Sequence, residues 1–243
     1  MPEQLPDLRG ETFKRNQVDW TLWNSFQDSG GRKREPTSRF LNRIKRLLDL
    51  DRSYRPGPIE DPEFAEFAFS EFPTEGKGHE AEFKPFDVFG LALAMELLDG
   101  GMKPSDAVFF IRAARSFLSA ALERLAASYD RSDRQKALAE NYPSLPSFES
   151  NGIEWADFGV FLVIRRVGLI ELIERQDLLQ FARQMPIFHE PNICWGRKEL
   201  AERLSDLRLQ QRKAIVAEIG FMSSSVCIWL ARSEAKSRGR ESA

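Results

Sequence analysis

Eight basic or amide side chains near the N-terminus have the types and spacing that contact with nucleic acid needs. Arg and Lys neutralise phosphates and release counterions, while Arg can bond bidentately to guanine and Asn to adenine. Five of the eight lie in the stretch "PTSRFLNRIKRLLDLDR" (36–52), and the other three form a basic run just before it. We expect the five to contact DNA from a helix and the three to act as a basic arm: Arg39, Asn42, Arg43, Lys45, Arg46, and Arg32, Lys33, Arg34.

The positive charge of this stretch contrasts with the rest of the chain. The 243 residues carry a formal net charge of −2, whereas residues 31–55 hold nine Lys or Arg against Glu35, Asp49 and Asp51, a net charge of +6. A local patch of this kind can bind DNA on a nearly neutral protein. The alternative is a solvated helix face, or a face that pairs with the acidic residues of 60–82.

The spacing predicts that the basic residues lie on a helix over 37–49. Thr37 or Ser38 can cap its N-terminus, because a side-chain oxygen there accepts a hydrogen bond from a free backbone N–H. Two stripes then recur at helical spacing, so one face is buried and another presents guanidinium groups. The apolar stripe is Phe40, Ile44, Leu47, and the basic stripe is Arg39, Arg43, Arg46.

Further elements are predicted on both sides of this helix. Residues 16–27 have the periodicity of a short amphipathic helix. Alternating Phe residues and two glycines predict a β-hairpin between 67–72 and 79–86, with an acidic outer surface. In 84–127, one helix is expected to end at Gly100–Gly101, and a second to begin at Pro104 or Ser105 and continue through Leu122.

The order helix, turn, basic helix, hairpin, helix, turn, helix resembles the MerR family of winged helix-turn-helix proteins. In that family an aromatic residue ends the wing, Asp-Val follows, and an apolar helix leads to a Gly-Met or Gly-Phe turn. The matching positions are Phe83 or Phe86, Asp87-Val88, Leu91, Leu97, Gly101-Met102 and Ser105. The resemblance covers about residues 16–127 and implies a DNA-binding regulator.

The second half of the chain carries weaker patterns. A polar, Pro/Ser-containing segment at 128–152 indicates a linker. Beyond it, 160–167 is predicted to be a buried strand, 175–185 a helix and 186–196 a loop or extended segment. The region 197–232 is interpreted as one long helical element, although β-branched residues leave a strand open for 213–219. Its apolar stripe from Ile215 to Trp229 could complete the chain's own core or pack against a second subunit.

No residue pattern indicates catalysis or a metal. His189 precedes Cys194 by five residues, but His79 and Cys227 lie far away in the sequence, and zinc sites need three or four ligands in tighter groups. We therefore expect no enzyme activity and no cofactor. Two cysteines do not make a disulfide framework, and neither a signal peptide nor a membrane span is evident, so we expect a cytoplasmic protein.

The sequence thus predicts an α+β, mostly α protein with a winged helix-turn-helix-like N-terminal part and a smaller α+β C-terminal part ending in a long helix. The predicted units are a loosely ordered N-terminus (1–15), the MerR-like domain (16–127), the linker (128–152), a dimerisation or sensing domain (153–232) and a disordered tail (233–243). The expected function is transcriptional regulation by a homodimer bound to double-stranded DNA through the major groove. The alternative is a protein-interaction or structural adaptor without DNA contact.

Overall fold

The computed structural model describes residues 6–27, 35–53, 67–70, 81–127, 159–165, 188, 191–205 and 214–234. These residues are mostly helical, with two small antiparallel sheets, which confirms the α+β, mostly α class. The strands are β1 (Phe13–Lys14), β2 (Glu82–Phe83), β3 (Val160–Arg165), β4 (Asn192–Trp195) and β5 (Ala214–Glu218). The helices are α1 (Arg15–Ser25), α2 (Ser38–Ser53), α3 (Pro85–Asp99), α4 (Pro104–Ala113), α5 (Arg115–Ala127), α6 (Arg197–Ser205) and α7 (Gly220–Ala231).

The predicted hairpin is wrong in the part that the structure describes. Residues 67–70 form no strand and bend at Ala68 and Phe69, and β2 pairs with β1 through Phe13↔Phe83 and Lys14↔Glu82. The backbone groups that a ladder at 67–70 would need are bonded to side chains of other elements. The rest of the predicted hairpin, 71–80, lies outside the described residues.

Helix α3 is the centre of the core. Every residue from Asp87 to Met95 is buried, because α2, α4 and α7 all pack against this helix. From Val88 to Met95 the sequence is apolar on all sides, as expected of a helical segment with no solvent face. Pro85 stands in its first turn, where the missing N–H of proline costs nothing, and the helix ends before Gly100.

The single helix predicted from Pro104 or Ser105 through Leu122 is two helices. It begins at Pro104 as expected, but α4 ends at Ala113 and α5 begins at Arg115. Ala114, between them, leaves helical geometry with φ −101° and ψ 11°. Arg112 and Arg115 flank this break: Arg112 donates a hydrogen bond to Asp51, and Arg115 donates one to the backbone of Phe67.

The second sheet has the order β4-β3-β5. Strand β3 was predicted, and of the segment 186–196, predicted as a loop or extended, Asn192–Trp195 form the strand β4. The favoured helical interpretation of 213–219 is wrong: Ala214–Glu218 form a strand, paired with β3 through Leu162↔Ala217 and Ile164↔Ile215. Within 197–232, the described residues form the helix α6, the strand β5 and the three-turn helix α7, so the single long helix expected there does not form.

Helix α7 places its apolar stripe inside the chain's own core. Met222, Val226 and Leu230 are buried, and α7 packs against α1 and α3. One apolar cluster accordingly holds residues from both sides of the predicted linker, from Phe13 to Leu230. The linker itself (128–152), the predicted helix 175–185 and the tail 235–243 lie outside the described residues, so the domain boundary stays a prediction.

Candidate nucleic-acid interface

Helix α2 is capped and buried along the face that the sequence predicts. The hydroxyl of Thr37 accepts a hydrogen bond from the backbone N–H of Phe40 at 3.3 Å, which satisfies one free donor of the first turn. Ile44, Leu47 and Leu48 are buried against α3 and α4. The apolar side of α2 is therefore committed to the core.

Aromatic rings fix the N-terminal end of α2 against α1. Phe40 meets the Trp23 ring edge to face with centroids 5.1 Å apart, and its centroid lies 6.3 Å from that of Phe26. Edge-to-face pairs of this kind stabilise packing beyond the area that they bury. They hold the first turn of α2 where the basic residues begin.

The opposite side of α2 is solvent-exposed and basic. We call the four exposed residues that were predicted to contact DNA the basic face: Arg39, Asn42, Lys45 and Arg46. Arg52 and Asp49 extend the same side toward the C-terminus of the helix, with 3.9 Å between the guanidinium and the carboxylate. The predicted basic arm Arg32, Lys33, Arg34 lies outside the described residues.

Arg43 differs from its neighbours because it is engaged within the chain. Its guanidinium donates a hydrogen bond to the carboxylate of Asp99, the last residue of α3, and the two side chains are 37% and 61% exposed. The sequence offered the acidic hairpin as an alternative partner for the basic stripe. Of the hairpin's acidic residues, Glu82 is described and exposed, whereas Glu71, Glu75 and Glu80 lie outside the described residues.

A buried ion pair holds the C-terminal end of α2. The carboxylate of Asp51 accepts a hydrogen bond from Arg112 Nε at 2.8 Å, and the two side chains are only 3% and 4% exposed. The same carboxylate accepts the backbone N–H groups of Ala68 at 3.0 Å and Phe69 at 3.1 Å. A second Arg112 nitrogen donates to the backbone oxygen of Asp51, and the guanidinium lies 5.2 Å from the centre of the Phe67 ring.

Arg115 closes the 67–70 bend from the other side. It donates to the backbone oxygens of Phe67 at 2.9 Å and Ala68 at 3.0 Å, and to the buried carboxylate of Asp87 at 2.9 Å. Asp87 in turn accepts the backbone N–H of Lys84 at 2.8 Å, which caps α3. The bend thus joins α2 to α3 and to the α4–α5 junction through charged hydrogen bonds.

These anchoring residues were missed at the level of sequence. A signal did exist for Asp51, which follows Leu47 by four residues and Ile44 by seven, and so falls on the apolar face of α2. A carboxylate in that position needs a buried partner. The sequence does not predict which residue this partner is, because Arg112 is 61 residues away in the chain.

The cysteines do not form a reactive site. Cys194 is buried in β4, and burial raises the pKa of its thiol. Burial also raises the pKa of the Cys227 thiol to about 11, so both groups stay protonated near neutral pH. The histidines at 79 and 189 lie outside the described residues, and among the residues described no three His, Cys, Asp or Glu side chains come together as a metal site would require.

Within the described ranges, no helix has both the length and the apolar character to span a bilayer. In comparisons with known proteins, no protein-family model, curated protein or solved structure matches this chain.

Proposed function

We propose that this protein binds double-stranded DNA through the basic face of α2 and acts as a transcriptional regulator on a MerR-like scaffold. The observation that carries the proposal is the pairing of an exposed, positively charged face with a fully anchored opposite face on one helix. A helix held in this way can present cations to a duplex without losing much conformational freedom on binding. The proposal involves no cofactor and no catalytic residue, and it places the protein in the cytoplasm.

The dimensions of α2 suit the major groove. Its 16 residues span about 24 Å, and the groove is about 12 Å wide, enough to admit an α-helix. Arg39 and Arg46 lie two turns apart on the exposed side, with Asn42 between them. In the proposed complex the arginines and Lys45 neutralise phosphates or contact guanine, and Asn42 bonds to adenine.

The direct test measures binding of fluorescent duplexes, one from the gene's own promoter and one of random sequence, at several salt concentrations. The test variant is Arg39→Gln/Lys45→Gln/Arg46→Gln. The control variant, Arg197→Gln/Lys198→Gln/Arg203→Gln, removes the same charge from exposed residues of α6. Circular dichroism and thermal unfolding check that both variants retain the fold.

We expect wild-type affinity to fall with salt and the α2 variant to bind about 10²-fold more weakly near 0.1 M salt, because three phosphate contacts are lost. The logarithmic salt slope should become shallower by about 3. The α6 variant should keep most of the affinity. Equal losses in both variants, or no binding by the wild type at low salt, would overturn the proposal.

Sequence preference separates a regulator from a nonspecific binder. Asn42→Ala should bind random DNA as tightly as the wild type does, but it should lose preference for the promoter duplex at the position it reads, by about 1–3 kcal/mol. An unchanged preference in Asn42→Ala would remove Asn42 from the readout.

The alternative function is a protein-interaction adaptor without DNA contact. The observation that favours it is exposed apolar surface: Phe221 is 57% exposed and Val216 is 40% exposed. An adaptor predicts that Phe221→Ser abolishes rescue of a deletion strain, while the α2 triple variant rescues it fully. The DNA-binding proposal predicts the opposite: the α2 triple variant fails to rescue the strain, and Phe221→Ser rescues it.

A homodimer also belongs to this proposal, since two half-sites on DNA commonly match a two-fold protein. The stripe from Ile215 to Trp229 is largely committed to the chain's own core, so the two-fold contact would have to use another surface. Light scattering after size exclusion gives the mass directly. A mass of 27.9 kDa at working concentrations would exclude a stable dimer.

A further inference from the structure

The ion pair between Arg43 and Asp99 joins the basic stripe of α2 to the end of α3. Arg43 lies four residues after Arg39 and three before Arg46, at the edge of the basic face. We infer that Asp99 restrains DNA binding by α2, because its carboxylate holds the Arg43 guanidinium that would otherwise contact a phosphate. This inference rests on the proposed DNA-binding function and concerns how that site is regulated.

Both partners of the pair stand on rigid elements. After Asp99, the N–H of Gly100 donates to the Glu96 oxygen at 2.8 Å and the N–H of Met102 to the Leu97 oxygen at 2.9 Å. Gly101, with φ +87°, makes the left-handed turn that such a helix ending needs. Helix α2 is held in turn by its buried stripe and by the Asp51–Arg112 pair. The carboxylate is therefore already positioned beside Arg43 in the free protein.

Other carboxylates surround this end of α3. Partial desolvation raises the pKa of the Glu96 carboxyl, and the charges of Asp99 and Glu218 raise it further. Pairing with Arg43 places a positive charge beside Asp99, which offsets part of the repulsion between the carboxylates of Asp99 and Glu96.

The restraint should be reversible and modest. A guanidinium can donate two parallel hydrogen bonds to a phosphate as it can to a carboxylate, so the two anions compete for one cation. Both partners are at least one-third exposed, so a phosphate can reach Arg43 without opening the core. An exposed ion pair is worth about a two- to fivefold change in an equilibrium constant.

The test is a double-mutant cycle on DNA affinity with Asp99→Asn, Arg43→Gln and the double variant. We expect Asp99→Asn to bind about two- to fivefold more tightly at low salt, with a logarithmic salt slope steeper by about 1. In the Arg43→Gln background, Asp99→Asn should change nothing, because the cation that it releases is missing.

Two matched controls distinguish an effect of the Arg43–Asp99 pair from a general change in charge or in DNA binding. Asp49→Asn removes the same charge from α2 itself, and its effect on affinity should be equal with and without Arg43. Arg39→Gln does not involve Asp99 and reports on the proposed function alone. Thermal unfolding should place all variants within a few degrees of the wild type.

Two results would overturn the inference. One is Asp99→Asn that binds no more tightly than the wild type. The other is a gain that persists in the Arg43→Gln background, because Asp99 would then act by general repulsion. If Arg39→Gln still weakens binding in either case, the proposed function survives and only the restraint by Asp99 fails. If Arg39→Gln also has no effect, DNA binding by α2 fails with it.

Discussion

Replacing Asp51 by Asn should destabilise the fold more than any other single change of equal size on α2. The carboxylate of Asp51 accepts Arg112 Nε at 2.8 Å and the N–H groups of Ala68 at 3.0 Å and Phe69 at 3.1 Å. An Asn side chain has a single acceptor oxygen, so an amide N–H₂ must face one of these donors. The guanidinium of Arg112, only 4% exposed, also loses its counter-charge.

Removing one partner of a buried ion pair costs about 3–5 kcal/mol, because the other charge stays buried without compensation. We expect Asp51→Asn to lower the free energy of unfolding by this amount. Small domains are stable by only about 5–15 kcal/mol, so the variant should lose a large fraction of its free energy of unfolding. The carboxylate of Asp51 connects α2, the 67–70 bend and α4, so its replacement should weaken the packing of all three.

Urea unfolding followed by circular dichroism and tryptophan fluorescence measures the change, with constant m values as the check for two-state behaviour. Asp99→Asn is the matched control, because it removes the same charge from an exposed pair and should cost less than about 1 kcal/mol. Hydrogen exchange adds a local readout at the Ala68 and Phe69 amides. A loss below about 1 kcal/mol in Asp51→Asn, with both amides still protected, would refute this account of the network.

Three further predictions concern local features of the same fold. Thr37→Ala should lower the free energy of unfolding by about 1 kcal/mol, because it removes the acceptor of the Phe40 N–H, while Thr37→Ser retains it; urea midpoints for the pair decide the point. Gly101→Ala should lower the free energy of unfolding by about 1–2 kcal/mol, because an L-residue is strained at φ +87° even though a Cβ there meets no atom within 4 Å. Equal urea midpoints for Gly101→Ala and the helical control Gly90→Ala would contradict this. The pKa of the Cys227 thiol rises from 9.0 to about 11 on folding, so the raised pKa stabilises the fold fully below pH 9 and this stabilisation is lost as the pH rises toward 11. The free energy of unfolding should therefore decrease more between pH 8 and pH 10.5 in the wild type than in Cys227→Ala.

The features of helix α2 that the sequence predicts are those that depend on side chains within one segment. Its cap, its buried stripe and its exposed basic residues follow from the spacing of side chains within one segment, and the structure places them as the spacing predicts. The same holds for α3, whose apolar composition and following glycines predict both its burial and its end. These features depend on contacts three or four residues apart, which are visible in the sequence.

The predictions that failed depend on distant partners. Ile215 and Val216 suit a helix or a strand equally well by composition, and pairing with β3, some 50 residues earlier in the sequence, decides for the strand. The alternating residues of 67–70 resemble a strand, but the side chains of Asp51 and Arg115 take the backbone groups that a ladder needs. In both cases tertiary contacts overrode local propensity.

By itself, the amino-acid sequence determined that α2 is an amphipathic helix with an exposed basic face, because helical periodicity and capping are local properties. Only the tertiary structure decided what each charge meets. Arg43 lies 56 residues from Asp99, and Asp51 lies 61 residues from Arg112, yet the first pair is exposed and the second is buried. An ion pair depends on where two helices cross, and the packing of α3 against α2 and α4 sets that crossing.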